Sequence, residues 1–348
     1  MLATPRGRYG ALFAAGLASA LAMPPIDFFP VLFLTLPILV WAVDATAADP
    51  DRRWLSAVFH GMLPGWWFGF GYFLAGLWWI GNALLVEAEL FAWAIPLAVI
   101  AIPAALAIFW GLASLGCALL WRDGLGRIGV LTFMLAGAEY LRGTLFTGFP
   151  WNTIGYATMP VPIAMQSASL VGLYGITLLA IPAFSLPLTL LADRSSGSRI
   201  RAVAFLAVFS LITGHLGYGA YRLSVSPETL PEPDIRVRLV QPNIDQRQKF
   251  DPSGAEDIVA GYIDLSKESD LDNIRYVIWP ESAFPFLLTE RADVLSAIAD
   301  LLPASTQLIT GAMRAEPGSA DEPYGRVYNS VYLVDSNGEI IQAADKVH

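Results

Sequence analysis

Residues 91–121 read FAWAIPLAVIAIPAALAIFWGLASLGCALLW, a run with no charged side chain. A helix crossing the hydrocarbon core of a bilayer needs roughly 20 apolar residues, and this run exceeds that. It belongs to an apolar stretch at about 89–121, with six others at about 9–23, 28–45, 55–80, 127–146, 161–192 and 200–221. Polar or Pro/Gly breaks separate them, so the spacing predicts a polytopic α-helical membrane bundle of about seven spans. Pro162, Pro182 and Pro187 predict a kinked or partly re-entrant course for the sixth. Composition agrees: 55% of residues are hydrophobic, only 15% are charged and mean hydropathy is +0.53. A net charge of -9 without a basic stripe argues against a nucleic-acid partner.

Charge placement gives an orientation. Residues 1–221 hold ten arginines and no lysine, and the remaining eleven of the 21 basic groups follow. Arg6, Arg8, Arg52, Arg53, Arg122, Arg127, Arg194, Arg199 and Arg201 fall before the first span or in every second loop. Of the alternate loops, only 147–160 has an arginine nearby, Arg142. The positive-inside rule then puts the N-terminus in the cytoplasm and everything after Tyr221 on the outer face. The opening MLATPRGRYGALFAAGLASALA also has the pattern of a cleavable signal peptide, and cleavage would leave six spans with the same outer segment. Retention is the expected outcome, because Pro24-Pro25 and the next span follow at once.

Few side chains inside the spans carry chemistry. Cys117, the single cysteine, reads as a small buried thiol, and the three histidines are too scattered for a zinc site. Gly65 and Gly69 form a GxxxG, which reads as generic helix packing before any specific dimer. Trp41, Trp54, Trp78, Trp79 and Trp121 fall near span ends, as an aromatic belt does. Glu139 and Arg142 stand out. Charges in an apolar run are paired or functional, and a spacing of three puts both on one helix face. Structural pairing and a place at a substrate cavity both remain open.

The texture changes after Arg222. Residues 1–223 form the expected bundle, the proline-rich 224–234 a linker, and 235–348 a polar α/β segment. Strands are expected at 235–240, 274–279, 307–311, 327–335 and 338–344, with helices at 254–269 and 291–302. Ser336-Asn337-Gly338 marks a hairpin between the last two strands. About 115 residues is short for a layered α/β domain.

Four local sequences carry a family resemblance: Phe146-Thr147-Gly148-Phe149-Pro150-Trp151, Leu239-Val240-Gln241-Pro242-Asn243-Ile244, Trp279-Pro280-Glu281-Ser282-Ala283-Phe284-Pro285 and Asp345-Lys346-Val347-His348. Together, in this order, they resemble the apolipoprotein N-acyltransferases of the nitrilase, or carbon–nitrogen hydrolase, superfamily. The resemblance implies a bacterial inner-membrane protein whose bundle precedes a periplasmic nitrilase-like domain, an αββα sandwich, of which this chain holds the N-terminal part. It also implies a Glu–Lys–Cys triad. Its glutamate matches Glu281 and its lysine Lys346, while its cysteine has no counterpart before His348. Phe250 stands where the family typically has tryptophan. Phe250 and Trp151, in segments that carry the resemblance, and Arg142, from its charge beside a span, are the candidate substrate-binding residues.

That triad suits acyl transfer from a phospholipid donor to the α-amine of the diacylglyceryl-cysteine of an apolipoprotein. A carboxylate takes the thiol proton, an ammonium stabilises the oxyanion, and a thioester forms. No cofactor is implied. Without the cysteine, the 348-residue chain is expected to insert in the membrane but to be inactive alone. Two other readings stay open: a membrane-tethered amidase that uses water in place of the amine, and a truncated, non-catalytic fragment.

Overall fold

The computed structural model describes residues 5–47, 54–121, 124–192, 197–225, 235–245, 249, 252–268, 270–318 and 324–347. Phe250, Arg52, Arg53, Arg122, Arg194 and the segment 226–234 lie outside them. The chain divides into two compact units, Met1–Ser226 and Pro227–His348.

The first unit is helical: α1 (Pro5–Ser19), α2 (Leu32–Ala47), α3 (Trp54–Gly76), α4 (Ala88–Phe91), α5 (Ile95–Leu120), α6 (Gly126–Thr144), α7 (Pro162–Met165), α8 (Ala168–Ala192) and α9 (Ser198–Ser224). Seven are long and track the seven apolar runs. Among the described residues, four segments are long and apolar enough to cross a membrane: Phe29–Thr46, Ala88–Leu120, Ala168–Pro187 and Ser198–Ser224. Ser56–Gly76 with Trp78–Leu85, bent by 46°, makes a possible fifth. The expectation of seven thus exceeds what length and composition support, for physical reasons. Helix α1 has only 15 residues, and α6 carries Arg127, Glu139 and Arg142 within 19.

The kink expected in 161–192 exists, but a glycine makes it. Gly172 adopts φ 66° and ψ −178° near the start of α8, while Pro182 and Pro187 sit inside the helix. The GxxxG also has a local use. A Cβ on Gly65 would stand 2.0 Å from the Trp110 carbonyl oxygen, so glycine lets α3 lie directly on α5. The core around this crossing includes Phe68, Tyr72, Phe73, Trp110 and Cys117, all at most 1% exposed.

The second unit is a five-stranded mixed sheet in the order β1 (Val237–Leu239), β2 (Tyr276–Ile278), β3 (Gln307–Pro317), β4 (Tyr324–Val334) and β5 (Ile340–Asp345). β1, β2 and β3 run parallel, and β4 and β5 add antiparallel. Helices α10 (Ala255–Ser266) and α11 (Ala292–Leu301) connect the parallel strands, as βαβ units require. Their apolar stripes pack with Val277, Leu308, Ala312, Tyr332 and Val334. The expected hairpin closes at Gly338 (φ 78°), where the Asp335 carboxylate accepts the N–H groups of Asn337 and Glu339. β3 runs six residues beyond its expected end, because β4 supplies backbone partners through a stretch whose own pattern is not strand-like. The described residues form one sheet with helices, so the αββα sandwich is not displayed by them.

Candidate active site and the loop that follows α6

Glu281 stands on the turn after β2, and the turn is built on β3. Trp279 donates its backbone N–H to the Ile309 carbonyl at 2.9 Å, Gly311 to Pro280 at 3.2 Å, and Ala283 to Gly311 at 2.8 Å. A side chain at position 311 would collide with this turn, since a Cβ there would lie 2.6 Å from the Glu281 Cα. Ser282 takes φ 51°, a conformation that a non-glycine residue holds only under local constraint. Below the turn, Trp279 stacks on Tyr262 (centroids 4.8 Å apart) and donates its indole N–H to Ser266 at 2.9 Å. The tryptophan thus anchors the motif while the glutamate faces out.

Lys346 arrives from 65 positions later. Its ammonium lies 3.1 Å from Glu281 Oε1, and the Asn329 side-chain amide donates to the same oxygen. Sheet register brings these groups together. Asn329 sits on β4, and its carbonyl accepts the backbone N–H of Lys346 at 2.8 Å. Next to it, Asp345 is clamped by Arg314 through two bonds of 2.8 and 2.6 Å and by the Ser330 hydroxyl at 2.7 Å. Lys249 donates to the Glu281 backbone carbonyl at 3.0 Å. A hollow of about 460 Å³ is lined in part by Glu281, Gly311, Asn329 and Lys346.

Electrostatics follow from these contacts. The Lys346 hydrogen bond, then that of Asn329, then the lysine charge hold the Glu281 carboxyl below its usual range. Arg314, then Ser330, push Asp345 down to about 2. Glu281 is therefore an ionised acceptor at neutral pH, with an ammonium on one oxygen. Asn329 and Lys249 carried no signal in the sequence, because their proximity arises only from strand register and loop course. Phe250, expected near this site, lies outside the described residues.

The other expected site residues belong to the first unit. Arg142 and Glu139 are a fully buried pair at 2.6 Å. The Trp110 indole donates to the second carboxylate oxygen, and the Arg142 guanidinium lies 4.9 Å from the Phe73 ring centroid. The guanidinium also donates to the carbonyls of Phe149 and Trp151 and to the Thr153 hydroxyl. The Tyr72 hydroxyl donates to the Asn152 carbonyl at 2.8 Å. Arg142 is thus committed to holding the loop after α6, in which Phe146, Thr147 and Asn152 all take positive φ. Trp151 is 51% exposed and borders a hollow of about 410 Å³ with Met23, Pro24, Trp79 and Tyr156. Cys117 is wholly buried in α5. Among the described residues, no cluster of three or more His, Cys, Asp or Glu could hold a metal ion.

Comparison with known proteins matches these features to a family. Residues 15–182, which include Glu139, Arg142 and the loop they hold, match the apolipoprotein N-acyltransferase N-terminal domain. An apolipoprotein N-acyltransferase from Allorhizobium ampelinum is 48% identical over 343 residues, covering 96% of this chain and 62% of that protein. One from Rhizobium leguminosarum bv. trifolii is 47% identical over 343 residues, covering 96% and 63%. A third, from Agrobacterium fabrum, is 46% identical over 356 residues, covering 100% and 65%. This chain is thus similar to the apolipoprotein N-acyltransferases, matches their N-terminal domain over residues 15–182, and spans between three-fifths and two-thirds of the length of these relatives.

Proposed function

We propose that this sequence serves the transfer of a fatty acyl group from a membrane phospholipid to the N-terminal α-amine of a diacylglyceryl-cysteine in an apolipoprotein. The observation that carries the reading is the Glu281–Lys346 pair, drawn together across 65 residues in a chain with a lipid-facing bundle. In this reading Glu281 takes the proton of the thiol that the family resemblance implies, and the thiolate attacks the ester carbonyl. Lys346 faces the oxyanion that forms. The ester C–O bond breaks, the lysolipid oxygen leaves with the proton from Glu281, and a thioester remains. Glu281 then takes a proton from the attacking amine as the C–S bond breaks. Cys117, buried in α5, is not that thiol.

In the same reading all seven long helices cross the membrane, including α6, because Glu139 and Arg142 neutralise each other inside it. The arginine bias puts the N-terminus in the cytoplasm and the second unit in the periplasm. Arg142 acts through the loop it holds, and Trp151 offers its ring to lipid. Reporter fusions after residues 50, 124 and 197 then report cytoplasm and one after residue 230 periplasm; the reverse at 230 removes the proposal.

The chemical test uses the gene product that carries this sequence, a labelled phospholipid and a diacylated lipopeptide. Glu281→Gln keeps the side chain's size and lowers transfer by about 10²–10⁴, the usual loss on removing a general base. Transfer within a factor of about two of the parent takes Glu281 out of the mechanism. Release of free fatty acid or ammonia without amine acylation favours the hydrolase reading.

A further inference from the structure

Between α2, α8 and α9 the first unit holds a second cavity, of about 260 Å³, distinct from the hollow beside Trp151. Its walls include Phe33, Ala180, Ala183, Phe184, Leu211 and Leu216. An apolar cavity of this kind does not retain water, and a bilayer offers hydrocarbon to fill it. The polar groups at its edge are Thr158 and His215. The His215 ring bonds the backbone of Ala164, while its Nδ1 has no hydrogen-bond partner.

Helix α9 presents one continuous face here, since His215, Gly219 and Arg222 follow i, i+4, i+7 spacing. Gly219 lies against the Ile163 backbone, where a Cβ would come within 1.9 Å of the carbonyl oxygen. Arg222 donates to the Gln166 carbonyl at 3.1 Å and is otherwise exposed near the end of the helix. Seven residues of helix rise about 10 Å, so a cation stands one lipid-head distance from the cavity's polar edge. A guanidinium at a helix C-terminus also complements the dipole, but that leaves the cavity beneath it unexplained.

We infer that this cavity takes one acyl chain of an anionic phospholipid, with the phosphate held by Arg222. Guanidinium pairs with phosphate through two parallel hydrogen bonds, and its fork has donors left after the bond to Gln166. The occupant is a lipid because the walls are hydrocarbon and the Arg222 guanidinium on the same helix is positive. This site goes beyond the acyl-transfer reading and does not depend on it; it requires only that the helices stand in a bilayer.

The test is photolabelling of the whole chain in vesicles containing phosphatidylglycerol with a mid-chain diazirine. Label should concentrate on 176–184 and 211–216, about tenfold above the lipid-facing part of α5. Ala183→Phe, which fills the cavity, should lower that label about tenfold. Arg222→Gln should lower capture of phosphatidylglycerol about fivefold and leave capture of a diazirine fatty alcohol unchanged. Label spread evenly over α5, α8 and α9 of the parent would mean bulk lipid only and overturn the site. Undiminished label in an inserted Ala183→Phe chain would overturn it as well. The parent's map decides the matter even where the variant fails to insert.

Discussion

Two glutamate–cation pairs, one in each unit, differ in their surroundings. Glu139–Arg142 is fully buried at 2.6 Å, with an indole, two loop carbonyls and a hydroxyl around it. Glu281–Lys346 is more than half exposed at 3.1 Å, on a turn clamped to β3. The first pair is enclosed, and two of its contacts hold the backbone of the loop after α6. The second keeps its carboxylate open to solvent while Asn329 and Lys346 set its charge. Burial makes one glutamate–cation pair part of the packing, and exposure leaves the other in contact with solvent.

Removing one partner of the buried pair should have the largest effect. Arg142→Met leaves a carboxylate stranded in the bundle and frees the loop after α6. Breaking a buried pair in this way costs about 3–5 kcal/mol. Thermal unfolding in detergent should show that loss, and Glu139→Leu with Arg142→Met should restore most of it, because no charge is then stranded. A single-variant loss below about 1 kcal/mol would make the two pairs alike and collapse the distinction.

Gly311→Ala probes the turn under the exposed pair. The added methyl meets backbone at Glu281, Pro280 and Ser282, and backbone cannot rotate away as a side chain can. Overpacking of this kind costs about 1–3 kcal/mol, and it shifts the carboxylate relative to Lys346. Loss of acyl transfer beyond the loss of stability is the expected result. Equal losses would mean that the turn positions nothing.

The sequence disclosed these two pairs unevenly. Glu139 and Arg142 were legible as a pair because helical spacing alone brings positions three apart together. Glu281 and Lys346 were legible only through the family resemblance. A carboxylate on a loop after a strand and a lysine far along the chain each read alone as solvated surface groups. Asn329 was not legible. It meets Glu281 because β4 aligns with β3 through Met313 and with β5 through Ser330–Asp345, and pairing between strands leaves no local trace. The seven apolar runs became seven long helices, yet composition supports four or five as spans. Local hydropathy counts the charges on α6 but not their mutual burial.

The smallest expected effect comes from titrating the exposed pair. Lys346 and Asn329 favour the carboxylate, so Glu281 holds its proton less tightly when folded than when unfolded. The pair's contribution to stability is therefore present above the ordinary carboxylate range and is lost as pH falls through the lower, folded-state value. Solvent screening keeps that contribution below about 1 kcal/mol. Asn329→Ala should move the Glu281 titration upward toward its ordinary range. Lys346→Met should move it further, since the lysine supplies the largest influence. Carbonyl-stretch infrared titration against Glu281→Gln isolates the signal. In acyl transfer the acid limb of the rate profile should move the same way, because a carboxylate that binds protons more tightly loses its basic form at higher pH. If neither variant moves the titration, the contacts at Oε1 do not tune the base, and the exposed pair, like the buried one, only holds chain in place.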